Sequence, residues 1–263
     1  MKLTIEQIKS YEEQGFLFIP ECFSREEISV ICDQIPNVMD DEAVGRVLED
    51  DQKTLRTLYG SHLNNKIFRD LVRHPRLLTV AQQLFASELY VFRSKIVMKP
   101  AFTGGMWGWH QDSAFAQYYE RISSPKGGNA ILFLDEVNEF NGPVYYIPGS
   151  HQQGILEAAN SASTTNSSLA VAPETIAKFA SVQGIVAPKG LAGSVLFVHY
   201  DTLHGSVANI SPWDRRNFVI TYSSIENSAL PNKERPAFLS NPDLTPLIAL
   251  SQDELDRIFT LGK

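Results

Sequence analysis

Apolar residues Ile5, Ile8 and Tyr11 recur at helical spacing near the start of the chain, with Thr4 placed to cap the first turn and Gly15 placed where a helix would end. Phe16 to Ile19 then form a short apolar run that Pro20 stops, which predicts a strand. Ser24-Arg25-Glu26-Glu27 has the form of a capping box and opens a second helix reaching about Ile35. Helical spacing returns over about 66–72 and 75–86, so the first third reads as α-rich. After Glu88 the period changes. ELYVFRSKIVMKP, NAILFLDEV, PVYYIP, GSVLFVHY and RNFVITYSS are rich in β-branched and aromatic residues and are separated by Gly, Pro and Asn, the signature of successive strands.

Helices packed outside a run of about eight short antiparallel strands predict a mainly β fold with flanking helices. The architecture expected is a double-stranded β-helix, a cupin-like jelly roll able to hold a ligand in its mouth. Residues 158–172 (AANSASTTNSSLAVA) are small and polar and read as a flexible excursion that could serve as a lid. No internal repeat is visible, and a single domain over 1–263 is expected because barrels of this size commonly form one unit.

Composition narrows the partners. Of 263 residues, 43% are hydrophobic and 20% charged, ordinary for a chain that buries a large core, and the formal net charge is −7. With no basic stripe, a nucleic acid or an anionic membrane is not the expected partner, and a small molecule is. Cys22 and Cys32 form neither a disulfide framework nor a CxxC metal site. No stretch reaches the ~18 apolar residues of a membrane span, and the amphipathic start lacks the apolar core of a signal peptide. A cytoplasmic protein is expected.

The chemistry concentrates in two segments. In GMWGWHQDSAF, His110 and Asp112 are two apart, and on a strand their side chains would point the same way toward one ion. His204 lies 92 positions beyond Asp112 in GSVLFVHYDTLHGSVANISPWDRR. Two imidazoles and one carboxylate on one face of an octahedron leave cis positions open, the arrangement non-haem Fe(II) oxygenases use. Arg215 follows His204 by eleven residues, and its planar guanidinium suits a carboxylate clamp. Arg215 and Arg216 are adjacent, so on a strand only one can enter the barrel, and spacing alone does not choose. Ser206 either offers its hydroxyl to the same carboxylate or is a turn residue beside Gly205. Trp107, Trp109 and Phe115 either wall the site or, as aromatics flanking a strand more often do, belong to the plain core.

With WHQD at 109–112, GPVYYIPGSHQQG at 142–154 and GSVLFVHYDTLHGSVANISPWDRR at 193–216, the sequence resembles the phytanoyl-CoA dioxygenase family of Fe(II)/2-oxoglutarate oxygenases. The resemblance implies His110, Asp112 and His204 as the metal ligands, Arg215 rather than Arg216 as the 2-oxoglutarate anchor, and O2 as the other co-substrate. KPAFTGGMWGWHQD is similar to the corresponding stretch of ectoine hydroxylases, which implies a place in the active site for Lys99, at the co-substrate or at a carboxylate near the metal. VLEDDQKTLRTLYGSH at 47–62, DEVNEFNGPV at 135–144, ANISPWDRR at 208–216 and ERPAF at 234–238 resemble the stand-alone hydroxylases of free leucine and similar aliphatic amino acids in natural-product pathways. By that likeness Arg235 faces the substrate carboxylate, and Arg56, Tyr59 and His62 help line the pocket. The expected activity is hydroxylation of an unactivated C–H bond in a leucine-like free amino acid. The alternatives are an ectoine-like or other small-molecule substrate, and a jelly-roll binding protein without turnover.

Overall fold

The computed structural model describes residues 1–42, 45–120, 126–156, 169–227 and 235–259. The chain begins with α1 (Ile5–Gln14) and β1 (Phe16–Ile19), followed by α2 (Arg25–Cys32) and α3 (Ile35–Asp40). Thr4 and Ser24 both close capping boxes, with Gln7 and Glu27 as reciprocal partners, and Gly15 ends α1 at φ 81° with its N–H on the Tyr11 carbonyl. That backbone conformation is open to glycine at no steric cost. Next come β2 (Gly45–Leu48), β3 (Leu55–Tyr59), α4 (Ser61–Asn64), α5 (Lys66–Leu71) and α6 (Leu78–Phe85). The first third is therefore not purely helical. β2 and β3 form a hairpin that adds two strands to the edge of the main sheet.

The β-rich part contains β4 (Leu89–Val97), β5 (Trp107–His110), α7 (Asp112–Glu120), β6 (Gly127–Phe133), β7 (Val144–Tyr146), α8 (Pro173–Gln183), β8 (Val195–His199), β9 (His204–Ser206) and β10 (Asn217–Ser224). α9 (Gln252–Ile258) follows. The sequence pattern had not called for α8, which begins with Pro173 in its first turn and ends at Gly184. The stretch expected as a flexible excursion falls for the most part in 157–168, outside the described residues. Its remainder is ordered, with Leu169 and Val171 buried and the Val171 N–H donating to the Trp109 carbonyl. Among the described residues no helix is long and apolar enough to cross a membrane.

Among the described residues ten strands form two antiparallel sheets, one ordered β1-β8-β6-β10-β4-β3-β2 and the other β5-β9-β7. Alternation sorts the large sheet's side chains. Ala130 and Leu132 of β6, Val195 and Phe197 of β8, and Phe218, Ile220 and Tyr222 of β10 face out against the helices in the main core. Ile131, Phe133, Leu196, Val198 and Val219, one residue out of phase, join Val137 and Tyr146 in a second cluster facing the small sheet. The jelly roll expected from the strand run is present, and the space between its sheets is where the polar groups gather.

β4 breaks its own alternation. Opposite β10, Thr221 pairs with Arg93 and Tyr222 with Val91, so Phe92 is an extra residue, a β-bulge. Before it Leu89 and Val91 pack outward, whereas after it Ile96 and Met98 do so, which turns Arg93, Lys95 and Val97 into the barrel.

Candidate active site

β5 and β9 pair with His110 opposite His204 and Trp107 opposite Ser206. Gly108 and Trp109 therefore stand against Gly205 alone, and this bulge turns Trp107 and His110 to the same side. A Cβ on Gly205 would come within 3.1 Å of the Trp107 carbonyl oxygen, so the bulge closes tightly on a glycine. Trp107 and Phe115 line the cavity as expected. Trp109 does not line it. It packs against the cluster of Ile147, Val171, Ile176 and Leu203, because the inserted residue reverses its face.

Asp112 also reaches the site by a different route from the one its spacing suggested. The strand ends at His110, and Asp112 is the first residue of α7, so a turn and not alternation sets the carboxylate beside the imidazole. Gln111, fully buried within that turn, holds it. Its Nε2 donates to the Asp201 carbonyl at 2.6 Å and the Gly154 carbonyl at 2.9 Å, and its Oε1 accepts from Leu156 N–H at 2.8 Å. One side chain thus ties the first two ligand candidates to the 199–204 loop that carries the third.

The three groups converge. Asp112 Oδ1 lies 3.9 Å from His110 Nε2, and Asp112 Oδ2 lies 3.7 Å from His204 Nε2. Among the described residues this is the one group of three or more His, Cys, Asp or Glu side chains whose ligand atoms approach within 4.8 Å of one another. Together they offer two imidazole nitrogens and a carboxylate that could hold one metal ion. Each imidazole is oriented from behind: His110 Nδ1 is 2.7 Å from the Gly108 carbonyl and His204 Nδ1 is 2.9 Å from the Thr202 carbonyl. Those acceptors place the proton on Nδ1 and leave each Nε2 lone pair for a metal. Tyr146 stacks on His204 with ring centroids 5.7 Å apart. Asn129 Nδ2 donates to Asp112 Oδ2, and Thr221 Oγ1 donates to Asn129 Oδ1 at 2.8 Å, so the carboxylate is held by a two-residue chain.

The electrostatics favour the ligating forms. Burial, with His204 alongside, pushes His110 down to about 4 and keeps it neutral. Burial works to raise Asp112, but His204, Lys95, His110 and the Asn129 amide outweigh it and hold the carboxyl well below the usual range.

A cavity at the triad is also lined by Lys95, Asn129, Tyr146, Ser206, Arg215 and Asn217. Arg215 is 2% exposed. Nη2 donates to the Gly142 carbonyl at 2.6 Å, Nη1 donates to Asn217 Oδ1 at 3.0 Å, and Nε has no partner. No carboxylate among the described residues lies within 4 Å of it, which is costly for a buried cation. Burial lowers its pKa to about 10, and it remains charged. Arg216 points the other way and is paired bidentately with Asp135 at 2.8 and 2.7 Å. The choice that spacing left open is thus made by a salt bridge on the outer side. The donor set fits a metal held by two imidazoles and a carboxylate, and the orphaned Arg215 fits an anionic co-substrate beside it.

Lys99 is buried behind this cavity. Its Nζ donates to Ser206 Oγ at 2.8 Å and to the Val207 carbonyl, and burial together with Arg215 and Arg56 lowers its pKa to about 6. Ser206 itself lines the cavity.

A larger cavity, which shares His110 and Asp112 with the first, is lined by Val47, Tyr59, Arg93, Trp107, Phe115 and Arg235 among others. Tyr59 and Arg235 are brought to it together. Phe238 packs so closely on the hairpin that a Cβ on Gly45 or Gly60 would lie 2.3 or 2.6 Å from it, which fixes the 235–239 segment beside β3. Arg56 and His62 are not among the lining residues. Arg56 stacks over Trp107 at 4.0 Å, pairs with Glu49 and donates to the Met106 carbonyl at 2.7 Å. His62 is buried with Nδ1 2.7 Å from Ser94 Oγ.

Lys95, Arg93, Asn129, Tyr146 and Gln111 had not been singled out in the sequence. The signal for the first two was a pair of cations two apart inside an otherwise apolar strand. Gln111 and Tyr146 stand inside the quoted motifs WHQD and GPVYYIPGSHQQG, where no role was read for them, and Asn129 is a single polar residue at the start of an apolar run.

A family model described as phytanoyl-CoA dioxygenase matches residues 11–217. An ectoine dioxygenase of Bordetella bronchiseptica is 34% identical over 242 residues, covering 88% of this chain and 79% of that protein. An L-proline trans-4-hydroxylase of Streptomyces griseoviridis is 30% identical over 256 residues, covering 93% and 95%. The crystal structure of EctD from S. alaskensis with 2-oxoglutarate and 5-hydroxyectoine superposes with a TM-score of 0.82 at 25% identity, covering 95% of this chain and 87% of that one. A further EctD structure from that source contains bound Fe. Taken with the converged His110, Asp112 and His204, these matches establish that the chain belongs to the phytanoyl-CoA dioxygenase family and is a 2-oxoglutarate-dependent non-haem iron dioxygenase, using iron, 2-oxoglutarate and O2.

Proposed function

We propose that this enzyme hydroxylates an unactivated C–H bond of a free, leucine-like aliphatic amino acid, in natural-product biosynthesis. The observation that carries the reading is the cavity beside the triad, which combines apolar walls from Val47, Phe92, Trp107, Phe115, Ala116 and Leu239 with the guanidinium of Arg235. Such a space suits a small molecule with a hydrocarbon body and a carboxylate.

In this reading His110, Asp112 and His204 hold the iron, and Arg215 takes the distal carboxylate of 2-oxoglutarate. Ser206 gives that carboxylate a hydroxyl, and Lys99 fixes the hydroxyl from behind. The bound metal and co-substrate supply the oxidising chemistry, with 2-oxoglutarate leaving as succinate and CO2 and one oxygen atom entering the substrate. The chain's own tasks are positional. Arg235 and Tyr59 orient the substrate so that one carbon faces the metal, while Trp107 and Phe115 keep water from that carbon. Arg56 braces Trp107, and His62 lies behind β4 against Ser94.

A second reading rests on the relatives. The relatives of this chain include an ectoine dioxygenase and a proline hydroxylase, which favours a compact cyclic amino acid or amino-acid derivative in the same cavity. Purified protein is incubated with Fe(II), 2-oxoglutarate and a panel of aliphatic amino acids, L-proline and ectoine. Succinate together with a product 16 mass units heavier is expected from an aliphatic member. Product from proline or ectoine alone would move the assignment to the cyclic reading, and product from none would overturn both.

A further inference from the structure

We infer that Arg93 is a specificity-determining residue that reads the substrate's carboxylate together with Arg235, and that the α-amino group is not read by charge. The inference rests on the preceding assignment of this cavity to substrate.

Arg93 enters the cavity because the bulge at Phe92 turns β4 inward from that point. The side chain lies over the Phe92 ring at 4.5 Å, which restricts its motion. Its Nε is buried with no hydrogen-bond partner. Three other buried or half-buried arginines are neutralised, Arg56 by Glu49, Arg76 by Glu27 and Arg216 by Asp135, and an exception, Arg215, faces the co-substrate cavity. Arg93 has no ion-pair partner among the described residues. A guanidinium held against an aromatic ring, with a buried donor unmet, is prepared for an anion that arrives with the ligand.

The charges around it sharpen the point. Arg93, Lys95 and Arg235 line the cavity, and Asp112 is the one carboxylate among its described lining residues. Asp112 is committed to the triad and to Asn129. Among the described lining residues an ammonium group meets three cations and no carboxylate beyond Asp112, whereas a carboxylate meets the guanidiniums of Arg93 and Arg235. Hydrogen bonds to a charged partner are worth more than those to a neutral hydroxyl such as that of Tyr59. Binding therefore depends strongly on the carboxylate and weakly on the amine.

The test uses enzyme loaded with Ni(II) and 2-oxoglutarate, and reads ligand binding by calorimetry in place of turnover. L-leucine, L-leucinamide and 4-methylpentanoate share one carbon skeleton and differ in the carboxylate or the amine. The acid lacking the amine is expected to bind within about tenfold of leucine, and the amide at least about a hundredfold more weakly. Arg93→Gln is expected to weaken both acids by about ten- to a hundredfold and to leave the amide unchanged, with Arg93→Lys between. Unaltered 2-oxoglutarate binding certifies that the variants are folded, and the wild-type comparison stands without them. Equal binding of amide and acid, failure of the deamino acid, or an equal loss for acid and amide in Arg93→Gln would overturn the inference. If no leucine-type ligand binds, proline and prolinamide are titrated in the same way. Acid selectivity there that Arg93→Gln removes would uphold the inference while sinking the leucine assignment, and its absence would sink both.

Discussion

Asn129 gives the most discriminating test of the metal centre, because among the three ligand candidates its side chain bonds only the Asp112 carboxylate, and the sequence assigned it no role. Its Nδ2 donates to Asp112 Oδ2, while its Oδ1 accepts from Thr221 at 2.8 Å, directly across the β6–β10 pairing. Asn129→Ala removes that donor and frees the carboxylate to rotate about its own side-chain torsion. A hydrogen bond to an ionised group contributes on the order of 1.5–3 kcal/mol, which corresponds to a loss of about 10- to 150-fold in metal affinity. Partners that orient metal ligands from behind typically show losses of about 10- to 100-fold, in the same range. Competition of the apo protein with a chromophoric chelator for Co(II) or Fe(II) measures the loss, and thermal melting controls for folding. Thr221→Val, which removes the support for the Asn129 amide, should cost about 3- to 10-fold, and the double variant should cost less than the product of the two because both act on one chain. Metal affinity within twofold of wild type in Asn129→Ala would refute the claim that this contact holds the carboxylate in its ligating orientation.

His204→Ala is expected to remove nearly all bound metal after purification, read by elemental analysis, and retention of a full equivalent would exclude His204 as a ligand. Arg215→Leu should raise the 2-oxoglutarate dissociation constant by roughly 10²- to 10³-fold through loss of a buried charge-assisted fork, with metal content unchanged. An unchanged constant would reassign the anion site. Burial holds His62 at about 4 and His74 at about 3, against 6.5 for a free imidazole. Because the unfolded chain takes up these protons near 6.5 and the folded one only well below, their contribution is complete at neutral pH and is lost as pH falls from 6.5 toward 4, by about 1–2 kcal/mol for each by pH 5. Urea denaturation midpoints should accordingly fall between pH 7.5 and pH 5, and a higher midpoint at pH 5 would show that these imidazoles are not buried neutral.

What the sequence determined by itself was whatever depends on local order along the chain. The capping boxes at Thr4 and Ser24, the stop at Gly15, and the change from helical to alternating period after Glu88 are set by residues within a few positions of one another, and the structure reproduces them. His110, Asp112, His204 and Arg215 were legible because chemistry of that type needs particular residues in a particular order. Where the chain's period was taken at face value, it failed at the bulges. One inserted residue in β5 sends Trp109 out of the cavity, and one in β4 turns Arg93 and Lys95 into it, and neither insertion has a mark in the local sequence. The β2–β3 hairpin was hidden because its pairing partner is β4, some forty residues on, and not a local pattern. The tertiary structure alone decided which of two adjacent arginines faces the barrel, since the answer lies with Asp135 on another segment. It alone also recruited Asn129, Gln111 and Tyr146, whose roles arise from what stands opposite them across strands and loops. Convergence of distant side chains is a property of register and bulges, and these are fixed by the packing of the whole sheet rather than by any one strand.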